Sequence, residues 1–130
     1  MSESSLKKQV WKQVSRFVRL EDALKHKGRC ICYTCGASLD PKRAQAGHGV
    51  GGRHNYLLYD LRIIKVQCLR CNIFLHGNYP VFAVKLIQEH GLKFYKNMLK
   101  YKVKKFSPQE LRIMKETYKE KADQLEFING

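Results

Sequence analysis

The apolar positions form two long helical stripes, one near each end of the chain, separated by a shorter and irregular middle. Val10, Val14, Phe17, Val18 and Leu24 recur at three- and four-residue steps with Trp11 beside them. That spacing places them on one face of a helix over residues 5–26, with Gly28 positioned to stop it. At the other end Leu111, Met114, Tyr118, Ala122 and Leu125 share a face. Ser107-Pro108-Gln109-Glu110 opens that helix as a capping box, with proline at the first helical position and glutamate three after the cap. Shorter helices are predicted over 79–90, stopped by Gly91, and over about 93–102. Leu57 to Val66 is rich in β-branched and aromatic residues and reads as strand-like. Residues 30–47 are too irregular for a long helix. The pattern predicts an α+β fold: a small middle core flanked by helices.

At 130 residues the chain suits one compact domain, divided here into an N-terminal basic helix (1–29), a cysteine-bearing core (30–80) and C-terminal basic helices (81–130). Hydrophobic residues make up 44%, enough for a modest core that gains from an added staple. Lys plus Arg is 25 against 11 Asp plus Glu, a formal net charge of +14, and the excess sits at the two ends. Such a field favours a polyanionic partner, either nucleic acid or an anionic membrane face. No apolar run is long enough to span a membrane. The opening Met1-Ser2-Glu3-Ser4-Ser5 lacks the apolar segment of a signal peptide. A reducing cytosol is therefore expected, where paired cysteines are metal ligands or catalytic groups rather than disulfides.

Two Cys-x-x-Cys pairs, Cys32/Cys35 and Cys68/Cys71, stand far apart in sequence. Each is a knuckle able to offer two thiolates, and together they supply one tetrahedral zinc. A four-thiolate site is closed, so this zinc is structural and does no chemistry. Cys30 is the odd cysteine: a replacement ligand for Cys32, or a small buried residue at the edge of the site.

Between the knuckles lies Gln45-Ala46-Gly47-His48 and then Gly49-Val50-Gly51-Gly52-Arg53. A histidine in a glycine-rich turn suits a general base acting on water near a phosphodiester; the plain alternative is a loop histidine with no chemistry. Arg53 is placed to clamp a phosphate, or is an ordinary surface arginine. Asn72 follows the second knuckle directly. Rigid support of that kind suits a ligand for a catalytic Mg2+, and equally a helix cap.

Taken together, Gln45-Ala46-Gly47-His48, Asp60, Gln67-Cys68-x-x-Cys71-Asn72 and Gly77-Asn78, with Cys32-x-x-Cys35-Gly36 before them and the basic tail through Ala122, resemble the NinG (Rap) recombination proteins of lambdoid phages. The resemblance covers residues 10–125. That family is in turn similar to HNH, or ββα-metal, nucleases such as phage recombination endonuclease VII. The resemblance implies a zinc-stapled ββα-metal core and a phage- or prophage-encoded endodeoxyribonuclease that cuts branched DNA in the bacterial cytoplasm. It implies His48 as general base and Asn72 as ligand of a catalytic Mg2+ or Mn2+, with Arg53 assisting. HNH proteins usually carry an acidic residue or His just before the base, where this chain has Gly47. Asp60, His76 and Asn78 are therefore all candidates to complete the metal site. The pattern's middle Asn, which braces the hairpin, is Ile63 here. DNA contacts are expected from Arg53, Arg70, Lys100, Lys102, Lys104 and Lys105, and the terminal helices offer a possible homodimer interface. The alternatives are a zinc-containing module that binds nucleic acid without cutting it, and a protein adaptor, which the charge of +14 disfavours.

Overall fold

Residues 2–50, 56–100 and 104–129 are described by a computed structural model. The first helix, α1, runs Glu3–Lys25. Ser2 caps it, its hydroxyl accepting from the Ser5 N–H at 3.1 Å. Val10 and Val14 are fully buried, and Leu6 and Gln13 share their face. Leu24, expected in the apolar stripe, is exposed; Ala23 takes the inward position instead, against Cys30, Ala44 and Val66. The last helix, α4, runs Pro108–Asn129. Its capping box forms as expected: Glu110 N–H donates to Ser107 Oγ at 3.1 Å, and Ser107 N–H to Glu110 Oε1 at 3.2 Å. Leu111 and Ala122 are fully buried. α4 lies along α1, and the pair is tied at its rim by Arg16 reaching Asp123 and Glu126.

Among the described residues the middle holds two small antiparallel hairpins. Cys30–Ile31 (β1) pairs with Ser38–Leu39 (β2), and Gln45–His48 (β3) pairs with Ile64–Gln67 (β4). In the second hairpin Gln45 faces Gln67 and Gly47 faces Lys65, while Ala46 faces Val66 and His48 faces Ile64. Side chains alternate across a strand, so Gln45, Gly47, Lys65 and Gln67 share one side and Ala46, His48, Ile64 and Val66 the other.

The strand expected over Leu57–Val66 is therefore much shorter. Leu57 to Arg62 folds into turns because Asp60 closes the chain on itself. Its carboxylate accepts from the Arg62 N–H at 3.0 Å and the Arg62 Nε–H at 2.9 Å, and its carbonyl from the Ile63 N–H at 3.2 Å. Leu57, Tyr59 and Ile63 are apolar because they fill the core, not because they extend.

After β4 the chain makes a wide π-type turn over Arg70–Phe74, then α2 at Tyr79–His90 and α3 at Leu92–Met98. Asn72, expected at the start of a helix, lies inside the π-turn, and Asn78 precedes α2. α3 ends earlier than expected, where the Lys100 N–H turns back to the Asn97 carbonyl. Phe82 and Leu86 of α2 are fully buried with Val10, Val14, Leu57, Ile63 and Leu111 in one cluster. Each such side chain stabilises the fold by about 1.5–3 kcal/mol through burial. Among the described residues no helix is long and apolar enough to cross a membrane.

Candidate metal centre and adjoining cleft

The two knuckles meet. Cys32 and Cys35 lie between β1 and β2, Cys68 follows β4, and Cys71 sits in the π-turn, so the ends of two hairpins and one turn bring all four cysteines together. The sulfurs of Cys32, Cys35, Cys68 and Cys71 lie within 4.8 Å of one another, and those of Cys35 and Cys68 are 3.7 Å apart. Four thiolates about 2.3 Å from a tetrahedral zinc stand about 3.8 Å apart, so the cluster fits a metal ion such as zinc. Backbone geometry supports the first knuckle: the Gly36 N–H donates to the Cys32 carbonyl at 2.9 Å, with Gly36 at φ +79.

The thiols are not alike. Burial alone would push Cys32 up, but hydrogen bonds from Thr34 and from nearby backbone N–H groups win and hold it at about 6. At Cys35 a backbone bond from Ala37 is outweighed by burial and the three neighbouring sulfurs, and the thiol rises to about 12. Four sulfurs this close share negative charge poorly without a cation. Cys30 stands outside the cluster: fully buried, its thiol is pushed to about 11 by that burial and donates to the Arg19 carbonyl at 3.4 Å. It is a core residue.

A second ring of contacts steadies the sulfurs. Asn78 Nδ2 donates to Cys71 Sγ at 3.7 Å and the Cys71 N–H to Cys68 Sγ at 3.4 Å. Thr34 Oγ1 lies 3.4 Å from Cys32 Sγ and accepts from Gln67 Nε2 at 3.1 Å, so its own proton points to the sulfur. Gln67 Nε2 also donates to the Gly77 carbonyl at 2.8 Å. One buried carboxamide thus joins the first knuckle to the turn after the second.

Beside this centre opens a cleft of about 400 Å3 whose lining includes Trp11, Gly47, His48, Asn72, His76 and Tyr79. The His48 ring stacks on Trp11 with centroids 4.6 Å apart. Its Nε2 lies 2.8 Å from the Leu58 carbonyl. A carbonyl only accepts, so Nε2 carries the proton and the lone pair of the neutral ring is on Nδ1. Asn72 Nδ2 donates to Gln45 Oε1 at 2.7 Å, which turns Asn72 Oδ1 toward Gly47. A Cβ on Gly47 would stand 2.8 Å from that oxygen and 2.0 Å from Gln67 Oε1, so position 47 has no room for a side chain. Gln67 Oε1 is buried with no hydrogen-bond partner among the described residues, which costs about 1–3 kcal/mol unless something else engages it.

Of the residues singled out from sequence, His48, Asn72 and His76 come together in the cleft. Asp60 does not: it is outside the lining, and its carboxyl is held below the usual range because Arg62 outweighs the effect of burial. Asn78 serves the cysteine cluster. Arg70, Lys100, Lys104 and Lys105 are exposed. Arg53 and Lys102 lie outside the described residues. Sequence reasoning gave no role to Trp11, Gln45 or Gln67. The available signal was a glutamine in an apolar strand directly before Cys68.

A family model described as Bacteriophage Lambda NinG protein matches residues 2–127. No curated protein and no solved structure matches the chain.

Proposed function

The chain belongs to the NinG family of phage recombination-related proteins, and from that premise we propose that it is a metal-dependent, structure-selective DNA endonuclease of the HNH type. The observation that carries this reading is the meeting of His48, Asn72 and His76 in one cleft beside the four-cysteine centre. The order β3, β4, π-turn and α2 supports this reading, because a ββα-metal core likewise runs from two strands into a helical segment.

In this reading His48 Nδ1 takes a proton from water. The water oxygen bonds to phosphorus as the P–O3′ bond breaks and the leaving oxygen takes a proton from solvent, giving a 5′-phosphate and a 3′-hydroxyl. Trp11 and the Leu58 carbonyl hold the ring in one tautomer and one plane. Asn72 and His76 are the residues that would hold a catalytic Mg2+ or Mn2+; Asn72 offers an oxygen, which suits such hard cations. When bound, that ion offsets negative charge developing on the phosphate. Asp60 and Asn78 are already engaged elsewhere and take no part. The exposed Arg70, Lys100, Lys104 and Lys105, with the charge of +14, supply contacts to the DNA backbone. Branched substrates suit a homodimer acting on two strands.

A second reading is a zinc-containing module that binds DNA without cutting it, and Gly47 and the fully buried Ile63 favour it. Cleavage assays on a four-way junction, a flap and a plain duplex with Mg2+ or Mn2+ separate the two. The nuclease cuts the branched substrates, and His48→Ala stops cutting while binding survives. Junction binding without cleavage by any divalent metal refutes the first reading and leaves the second.

A further inference from the structure

We infer that Gln67 is a ligand of the catalytic divalent cation, its buried carboxamide oxygen taking the place of the side chain that Gly47 lacks. This rests on the nuclease reading above and names a residue for it.

Three observations converge. First, the orientation of Gln67 is fixed. Its Nε2 donates to the Gly77 carbonyl at 2.8 Å, and a carbonyl cannot donate back, so the amide cannot be flipped. Second, its Oε1 is buried without a hydrogen-bond partner among the described residues, on a residue 0% exposed, which is rare for a carbonyl inside a protein. Third, that oxygen and Asn72 Oδ1 crowd the same side of Gly47. They lie 2.0 and 2.8 Å from the point where a Gly47 Cβ would stand. Asn72 is oriented in the same way as Gln67, by donating from its amide nitrogen to Gln45 Oε1 at 2.7 Å.

Two carboxamides, each anchored by its own nitrogen donating on the far side, bring the negative ends of their carbonyl dipoles together. They repel unless a cation or a hydrogen-bond donor joins them. A hard divalent ion with oxygen preference suits two neutral carboxamide oxygens, with the rest of its shell on the cleft side, where Asn72 lines the wall. The HNH pattern places an acidic residue or His at the position Gly47 holds. Here Gln67 reaches in from the paired strand, which is why position 47 is glycine. Gln67 also anchors Thr34 against Cys32, so the zinc knuckle fixes where its oxygen points.

The test is Mn2+ binding by the full zinc-loaded chain, read from the electron paramagnetic resonance of free Mn2+, with zinc content and circular dichroism checked for each variant. Gln67→Leu is expected to weaken Mn2+ binding about tenfold or more, and Gln67→Glu to tighten it. If both variants bind as wild type does while Asn72→Ala loses the ion, this inference fails and the nuclease reading stands. If wild type binds no Mn2+, both fail. Should Gln67→Leu not fold, the wild type decides. The side-chain carbonyl carbon signals of Gln67 and Asn72 are expected to shift on one Mg2+ titration curve. A Gln67 signal that stays still while that of Asn72 moves overturns the inference.

Discussion

Gly47→Ala offers the sharpest test of the packing between the two hairpin strands and the π-turn. The added Cβ would stand 2.0 Å from Gln67 Oε1, 3.0 Å from Gln67 Cδ and 2.8 Å from Asn72 Oδ1. Gln67 cannot yield cheaply: it is fully buried and holds Thr34 and Gly77 through Nε2. Either β3 lifts from β4 or Gln67 swings away and abandons those partners. Overpacking of this kind costs about 1–3 kcal/mol. Leaving the Gly77 carbonyl unpaired costs about 1–3 kcal/mol more. The smaller entropy of an unfolded alanine returns about 0.4–1 kcal/mol. A net loss of about 3 kcal/mol is expected, a large part of the roughly 5–15 kcal/mol that holds a domain together. Urea unfolding of the zinc-loaded protein measures it. The decisive comparison is the same change in a Gln67→Ala background, where the closest contact is gone and the cost should fall to about 1 kcal/mol, a coupling of about 2 kcal/mol. Equal costs in the two backgrounds, or a cost below about 0.5 kcal/mol in the wild type, would refute the argument.

The metal centre predicts about one zinc per chain, lost together with the fold on chelation. Cys71→Ser should lose the zinc and Cys30→Ser should keep it; zinc analysis that puts Cys30 among the ligands would contradict the geometry. At the turn after β3, the folded Asp60 carboxyl is held below its ordinary range by Arg62. Its contribution is therefore complete above the usual carboxylate range and is lost as pH falls through the depressed folded value. Asp60→Asn should cost about 1 kcal/mol near neutral pH, as loss of a charge-assisted bond and turn cap does, and the gap between variant and wild type should narrow with acid. A gap that is independent of pH would show that the carboxylate charge plays no part.

What the sequence by itself determined is what depends on neighbours a few residues apart. The stripes of α1 and α4 follow from helical periodicity. The capping box needs only Ser107 and Glu110. Each Cys-x-x-Cys is a local turn, and two of them suffice to suggest one metal, which the clustered sulfurs support. The tertiary structure decided whatever depends on residues meeting across the chain. Apolar composition made Leu57–Val66 resemble a strand, yet most of it is turn, because core contacts select the same residue types as extended backbone does. Asp60 looked like a metal ligand by its place in a motif, but its own near neighbour Arg62 claims it. Trp11 reached His48 only once α1 lay against the hairpin. The conjunction of Gly47, Gln67 and Asn72 is likewise invisible along the chain. It arises from strand register and a π-turn, which together aim two carboxamide oxygens at a space that one added methyl group would fill.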